Sequence, residues 1–145
     1  MKEIGRLDTT NQELIRILVC GGRTFNNKKL CYSTLDTLCL NRGFYIGDKD
    51  GNWLPRAIII NGGAKGADHL STEWAMTYDT GLKEYPADWD QHGKAAGPIR
   101  NQQMLDEGKP DIVVAFPGGR GTADMVRRAK KAGIEVIEVE NENMV

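Results

Sequence analysis

The sequence predicts a doubly wound α/β domain, in which a Rossmann-like parallel sheet of about five strands lies between two layers of helices. Five short apolar runs recur along the 145 residues, and segments with helical spacing of apolar residues separate them. Glycine clusters follow three of the runs, and the chain has 17 glycines where average usage gives about ten. The predicted strands cover residues 15–20, 57–61, 82–86, 111–116 and 134–139.

Segments with helical periodicity connect these strands, in the alternating order that is typical of a parallel sheet. The last predicted helix covers residues 122–132, and Pro98 is placed at the first position of the helix before it. Three glycines follow helices, where they are expected to adopt the left-handed conformation that ends a helix. They are Gly81, Gly108 and Gly133. With the first strand at the centre, right-handed crossovers bring the loops after strands one, two and four to one edge of the sheet.

The length suits a single domain over residues 1–145, with two local departures. Residues 1–14 are predicted to be a polar N-terminal extension, and they lack the apolar core of a signal peptide. Residues 42–56 interrupt the first crossover, and an Asp-Gly step between two short apolar pairs predicts a β-hairpin there. No apolar run approaches the roughly 18 residues that a membrane span requires. We therefore expect no membrane association.

Charge and cysteine content bound the function further. The formal net charge of −1 and a pI of about 6.1 give no electrostatic basis for bulk binding to nucleic acid or membranes. Cys20, Cys31 and Cys39 have no metal-binding spacing, and their odd number favours a reduced protein with cysteines in its core. No metal site and no cofactor are expected. These observations predict a cytoplasmic protein.

The three Gly-rich loops are predicted to form one ligand-binding crevice at the carboxyl ends of the strands. Glycines let backbone N–H groups approach a phosphate closely, and a helix N-terminus attracts negative charge. A basic residue accompanies each loop, and Thr122 is expected to cap the last helix and to add a hydroxyl. A tight turn without a ligand is the alternative for any one loop taken alone. The predicted anion-binding residues are Gly21, Gly22, Arg23, Gly62, Gly63, Lys65, Gly66, Gly118, Gly119, Arg120, Gly121 and Thr122.

Five more polar or aromatic residues are candidates for contacts with the rest of the ligand. Asp68 falls in the first turn of a predicted helix, where it either complements the helix dipole or binds a ribose hydroxyl. Trp89, Asp90 and His92 are candidates for base or sugar contacts. Trp89 could instead form a subunit contact, and His92 could be an ordinary surface residue. Arg100 is expected to meet a phosphate or a sugar from its helix.

Several of these motifs resemble those of one superfamily. "PGGRGTADM" at 117–125 resembles the PGGxGTxxE signature of the Lonely Guy cytokinin-activating phosphoribohydrolases, and "RNQQM" at 100–104 resembles their RKxxM helix. "GGAKGAD" at 62–68 resembles the GxARGID loop of the DNA-processing protein A family. Both families belong to the SLOG superfamily of Rossmann-like nucleotide-binding domains. The run 17–139 is most similar to the YspA-type branch of that superfamily, which is common in bacteria and their phages.

The resemblance implies a nucleotide or nucleotide-derived ligand. Phosphoribohydrolases of the superfamily cleave the N-glycosidic bond of a nucleoside monophosphate, which requires a carboxylate and donors for the phosphate. The family arginine matches Arg100, whereas Met125 stands at the position of the catalytic glutamate. Asp68, Asp90 and Asp124 are the candidate catalytic replacements. The resemblance therefore implies nucleotide binding, with N-glycosidic or phosphoribosyl hydrolysis that is slow or absent.

Two alternatives and an oligomeric state complete the expectations. The first alternative is a non-catalytic sensor or carrier of a nucleotide signal. The second is a DNA-binding module, for which the basic run at 127–131 is the only support. That run is more simply the solvated face of the last helix. Members of the superfamily are often dimers, so we expect a homodimer or higher homo-oligomer with Trp89 and the segment 92–105 as a candidate contact.

Overall fold

The structure, a computed structural model, describes residues 14–47 and 49–140. Its strands are β1 (Ile15–Cys20), β2 (Tyr45–Gly47), β3 (Trp53–Pro55), β4 (Ala57–Asn61), β5 (Gly81–Glu84), β6 (Ile112–Ala115) and β7 (Glu135–Glu138). Its helices are α1 (Lys28–Asn41), α2 (Ala67–Tyr78), α3 (Trp89–His92), α4 (Ala96–Gly108) and α5 (Arg120–Lys131). A 3₁₀ turn at Gly93–Ala95 joins α3 to α4.

Five of the strands form one parallel sheet in the order β5-β4-β1-β6-β7. Every neighbouring pair in it is parallel, and β1 is central, with Leu18 paired to Ile60 of β4 on one side and to Val113 of β6 on the other. This order confirms the predicted Rossmann-like α/β fold. The chain reverses its direction of winding between β1 and β6, and ligands of such sheets bind outside the strand ends at that point.

The core lies on both faces of the sheet, because successive side chains of a strand point in opposite directions. Ile17 and Val19 of β1 pack in one cluster with α1 and α2, while Leu18 and Cys20 pack in the other with α4 and α5. All four side chains are buried. The sheet is therefore covered by helices on both sides, which explains the nearly continuous apolar runs of its central strands. The other two cysteines are buried as well, in agreement with their expected place in the core.

The segment 42–56 contains an antiparallel hairpin of β2 and β3, with Ile46 opposite Leu54. Trp53 meets the ring of Tyr78 on α2 edge-on, with the ring centroids 5.8 Å apart, so the hairpin packs against the α1–α2 layer and away from α4 and α5. The predicted N-terminal extension lies outside the described residues, except for its last residue, Leu14. Among the helices of residues 14–47 and 49–140, none is long and apolar enough to cross a membrane.

The start of α5 differs from the prediction in a way that matters for the site. The helix begins at Arg120, two residues before the predicted start, and its N-cap is Gly119, with no side-chain capping bond. Thr122 is the third helical residue, whereas a capping residue must precede the helix. The prediction that Thr122 caps the helix is therefore wrong.

Two other helix ends also differ from the prediction. Helix α4 begins at Ala96, so Pro98 is its third residue and not its first. Asp79 (φ 56°) ends α2 and Lys109 (φ 49°) ends α4 in the left-handed conformation, in place of the neighbouring glycines. Gly133 follows α5 with φ 78°, as expected. The left-handed conformation costs a non-glycine residue about 1–2 kcal/mol, and aspartate adopts it more readily than most because its short polar side chain can hydrogen-bond locally.

Candidate functional site

A cleft of about 860 Å³ opens at the carboxyl end of β1, between the loops after β1 and β6 and the N-terminal parts of α2, α4 and α5. Its size lies within the roughly 300–1,000 Å³ that is typical of small-molecule sites. Many of the predicted site residues line this one cleft. They are Gly21, Gly22, Arg23, Asp68, Trp89, Arg100, Gly119, Arg120, Gly121, Thr122 and Asp124.

Some glycines are needed because the three loops touch through their backbones. Gly66 has φ 77°, and a Cβ there would collide with the carbonyl oxygen of Gly22, which accepts a hydrogen bond from the N–H of Ala67 at 3.2 Å. A Cβ on Gly118 would lie 2.6 Å from the backbone nitrogen of Gly22, and that nitrogen donates to the carbonyl of Pro117 at 2.9 Å. These glycines hold the loops together, which accounts for them without a ligand.

Gly119 and Gly121 are different, because a Cβ at either position would meet no protein atom within 4 Å. Neither residue has a left-handed φ. The backbone N–H groups of Arg120, Gly121 and Thr122 donate to no acceptor within the described residues. By contrast, α1 begins with a side-chain cap from Asn27. The N-terminus of α5 is thus uncapped, free of side-chain cover and part of the cleft wall, which is the arrangement that binds anions.

Asp68 is only 7% exposed and lines the cleft, and its two carboxylate oxygens have different surroundings. Its Oδ2 accepts hydrogen bonds from the backbone N–H groups of Gly62 (3.0 Å) and Ala64 (3.2 Å). Its Oδ1 has no hydrogen-bond partner in the part of the chain that the structure describes. Burial raises the pKa of this carboxyl above its ordinary value, although the two N–H groups and the charge of Arg100 oppose the rise. One oxygen therefore fixes the loop, while the other is available to a ligand.

The side chain of Arg100 extends from α4 and lines the cleft on the same side as Asp68. Its Nη1 donates to the carbonyls of Gly62 (3.0 Å) and Tyr85 (3.3 Å), and its Nε donates to Oδ1 of Asn101 (3.1 Å). A Cβ on Gly62 would collide with the guanidinium, so this glycine is required for the contact. Burial lowers the pKa of Arg100, and the charge of Arg23 lowers it further. Nη2 donates to no acceptor among the described residues, which leaves a cationic donor for a ligand.

Asp124 also lines the cleft, but its carboxylate is fully engaged. Oδ2 accepts from Asn101 Nδ2 (3.0 Å) and Arg128 Nε (2.8 Å), and Oδ1 pairs with Arg127. Burial alone would raise the pKa of Asp124, but these hydrogen bonds and charges outweigh it and hold the pKa below its usual value. Such a carboxylate is a weak base with no free oxygen.

Met125, which stands at the position of the glutamate in the Lonely Guy signature, does not reach the cleft. Its side chain is 0% exposed and packs in the core with Leu18, Met104 and Val113. It is absent from the cleft wall. The catalytic position that the resemblance implies is therefore a core position here, and a glutamate there would bury an unpaired charge among apolar side chains.

The other predicted residues, apart from Trp89, lie around the cleft without lining it. Lys65 is exposed on the loop after β4, and Asp90 and His92 are exposed on α3. Trp89 does line the cleft at its rim, 49% exposed, with ring atom Cη2 3.5 Å from where a Cβ on Gly97 would stand. The glycines that shape the loops behind the cleft wall are Gly62, Gly63, Gly66 and Gly118. Ligand contacts of all these residues stay predictions.

Three polar residues of the cleft were missed from the sequence: Lys94, Asn101 and Arg127. Arg127 follows Arg120 by seven residues, which is two helical turns, so the spacing alone places both on one face of α5. Asn101 follows Arg100 directly, and its role depends on contacts with α5 that no local pattern encodes.

A metal centre and a reactive thiol find no support in this cleft. Cys20 lies at its base, and burial raises the pKa of the thiol to about 12, with the charge of Asp68 adding to the rise. The thiol is therefore protonated at neutral pH and is no nucleophile. No group of three histidine, cysteine or carboxylate side chains in residues 14–47 and 49–140 could hold a metal ion.

Comparison with known proteins agrees with this architecture. Residues 15–92, more than half of the chain, match the model of the YAcAr family, described as the YspA, cpYpsA-related SLOG family. The matched range includes the loops after β1 and β4 and ends before α4. The chain is also similar to the gene 61 protein of Mycobacterium phage D29, with 34% identity over 129 residues that cover 84% of this chain and 94% of that protein. The chain therefore belongs to the YspA, cpYpsA-related SLOG family.

Proposed function

We propose that the cleft binds a nucleotide or nucleotide-derived ligand, with a phosphate at the N-terminus of α5. The observation that carries this proposal is the uncapped start of that helix. Three backbone N–H groups there lack acceptors among the described residues, Gly119 and Gly121 leave open space, and Arg120 has no acidic partner. A phosphate would accept from the N–H groups and be neutralised by the arginine.

The rest of the cleft supports a nucleotide as the bearer of that phosphate. The free Oδ1 of Asp68 is an acceptor for a sugar hydroxyl, and Nη2 of Arg100 is a donor beside it. The half-exposed indole of Trp89 at the rim offers a flat apolar face on which a base can stack. A phosphate site, a hydroxyl acceptor and an aromatic face in one cleft are complementary to the three parts of a nucleotide.

Replacement of Gly119 with valine tests the phosphate site. Because a Cβ at this position meets no protein atom, the variant should fold with an unchanged melting temperature and circular dichroism spectrum. Its side chain would fill the space at the helix N-terminus, so titration calorimetry with the four common ribonucleoside 5′-monophosphates should give at least a tenfold loss of affinity.

Gly47→Val is the matched control, since Gly47 lies in the hairpin away from the cleft and a Cβ there has one neighbour among the described residues, at 4.0 Å. Its affinity should equal that of the wild type. Wild-type affinity in Gly119→Val, or no binding of any nucleotide to the wild type, would reject the proposed phosphate site.

Hydrolysis of an N-glycosidic bond is a second candidate function, favoured by the free oxygen of Asp68 in the cleft beside Arg100. In that reaction water attacks C1′ of the ribose and gives a proton to the carboxylate. The C1′–N bond breaks, and the base leaves with the bonding electrons and is protonated from solvent or from the carboxyl. Release of free base from nucleoside monophosphates tests this candidate. Without such release, the protein is a sensor or carrier.

DNA binding gains no comparable support. In the basic run 127–131, Arg127 and Arg128 pair with Asp124, and Lys130 pairs with Glu138 at 3.0 Å. Charges that are already engaged within the fold contribute less to binding a phosphate backbone.

A further inference from the structure

The arginines of the described residues divide into two groups. Eight arginines lie there, and six of them interact with other protein groups: Arg16, Arg42, Arg56, Arg100, Arg127 and Arg128. The side chains of Arg23 and Arg120 make no hydrogen bond and no ion pair within the described part of the chain. Both line the cleft. The cleft therefore contains both arginines whose charge the described fold leaves uncompensated.

These two arginines belong to different sides of the cleft. Arg120 begins α5, which follows β6, whereas Arg23 follows β1 and lies close enough to Arg100 for its charge to act on that guanidinium. Arg100 in turn binds the carbonyls of Gly62 and Tyr85, which follow β4 and β5. Since β1 lies between β4 and β6, the strand before Arg23 is one strand spacing (about 4.8 Å) from β6, and the strand before Gly62 is two spacings, or about 10 Å, from it.

The acidic residues of the cleft do not compensate these charges. Asp124 is paired with Arg127 and Arg128. The positive charge that acts on the carboxylate of Asp68 is that of Arg100. The exposed side chain of Lys94 adds another positive charge to the cleft wall. A single phosphate at the start of α5, with a charge of about −1.5 to −2, would be bound by Arg120 and the helix N-terminus and would leave Arg23 without a partner.

We propose that the ligand carries a second anionic group, which Arg23 binds together with Nη2 of Arg100 on the β1–β4 side of the cleft. This inference rests on the proposed nucleotide site and names its ligand class: a nucleotide derivative with at least two phosphates or other anions. Arg23 contributes a planar pair of donors that suits a phosphate or a carboxylate. The two anionic groups fix the ligand at both sides of the cleft, with the sugar between them near Asp68.

The test compares ligands that differ only in their second phosphate. Titration calorimetry is carried out with each common ribonucleoside as its 5′-monophosphate, 5′-diphosphate and 3′,5′-bisphosphate. For at least one nucleoside, a doubly phosphorylated form should bind the wild type about ten- to a hundredfold more tightly than the monophosphate. In Arg23→Gln that gain should vanish, so that the doubly phosphorylated form binds no more than about threefold more tightly than the monophosphate.

Arg42→Gln is the matched control, because Arg42 is also exposed but pairs with Glu135 on the surface outside the cleft. It should keep the full gain. Equal affinities for mono- and doubly phosphorylated forms in the wild type would overturn the inference while leaving the proposed phosphate site intact. A gain that persists in Arg23→Gln would overturn it too. Failure of every nucleotide to bind would instead reject the proposed function together with this inference.

Discussion

At the scale of single residues, the glycines of the loops perform two different tasks. Gly66 and Gly118 permit contacts between backbones that a methyl group would block, so they serve the fold. Gly119 and Gly121 have open space where a side chain would be, so the fold does not require them. The sequence pattern cannot separate these cases, since both place a glycine after a strand. The difference becomes visible only from what surrounds each Cβ position.

Asp68→Asn separates the structural from the chemical task of that residue. The amide oxygen of asparagine can still accept from Gly62 and Ala64, and a buried charge is removed, so the melting temperature at pH 7 should not fall. If Asp68 activates water, base release from nucleoside monophosphates should drop by about 10²–10⁴-fold, with affinity largely kept.

Asp79→Asn is the control for Asp68→Asn. Asp79 ends α2 in the left-handed conformation, which asparagine also adopts readily. It should release base at the wild-type rate. A wild type that binds nucleotides and returns them intact would exclude the hydrolytic candidate.

At the scale of elements, one polar network joins α4 to α5 beside the cleft. Asn101 of α4 donates to the carbonyl of Gly121 (3.2 Å) and to Asp124 (3.0 Å), and Arg128 connects Asp124 to Gln102 (2.9 Å). Since Asn101 also accepts from Arg100, the network fixes both that arginine and the first turn of α5. We assign Asp124 a positioning role, in which it holds two helices at the cleft without acting on the ligand.

Asp124→Asn should therefore destabilise the protein by about 1–3 kcal/mol at pH 7, since both arginine pairs lose their charge partner. The pKa of Asp124 is lowered in the folded state, so its contribution is complete above the ordinary aspartate pKa of about 3.9 and is lost as the pH falls through the lower, folded value. Denaturant unfolding at several pH values should show a constant difference from the wild type down to about pH 5 and a shrinking one below pH 4.

Asp106→Asn on the exposed face of α4 is the comparison, with an expected change below about 0.5 kcal/mol. Unchanged stability of Asp124→Asn at pH 7 would show that the network does not join the helices.

At the scale of the whole molecule, strand order could be predicted better than site chemistry. The β-branched runs and the helices between them determine a parallel sheet, and its topology brings the loops after β1, β4 and β6 together. The start of α5 was predicted two residues late because glycine and threonine favour both caps and first turns. The burial of Met125 and the engagement of Asp124 depend on packing between α4 and α5, which no local spacing encodes.

The central claim is that the cleft at the carboxyl end of β1 holds a nucleotide-derived ligand. The most direct test is mass spectrometry of the small molecules that denaturation releases from the purified wild type and from Gly119→Val, prepared in parallel from the same host cells. We expect a phosphorylated nucleoside derivative, carrying more than one anionic group, to be enriched with the wild type and depleted at least tenfold in the variant. Equal amounts of every nucleotide in both preparations, or none in either, would contradict the claim.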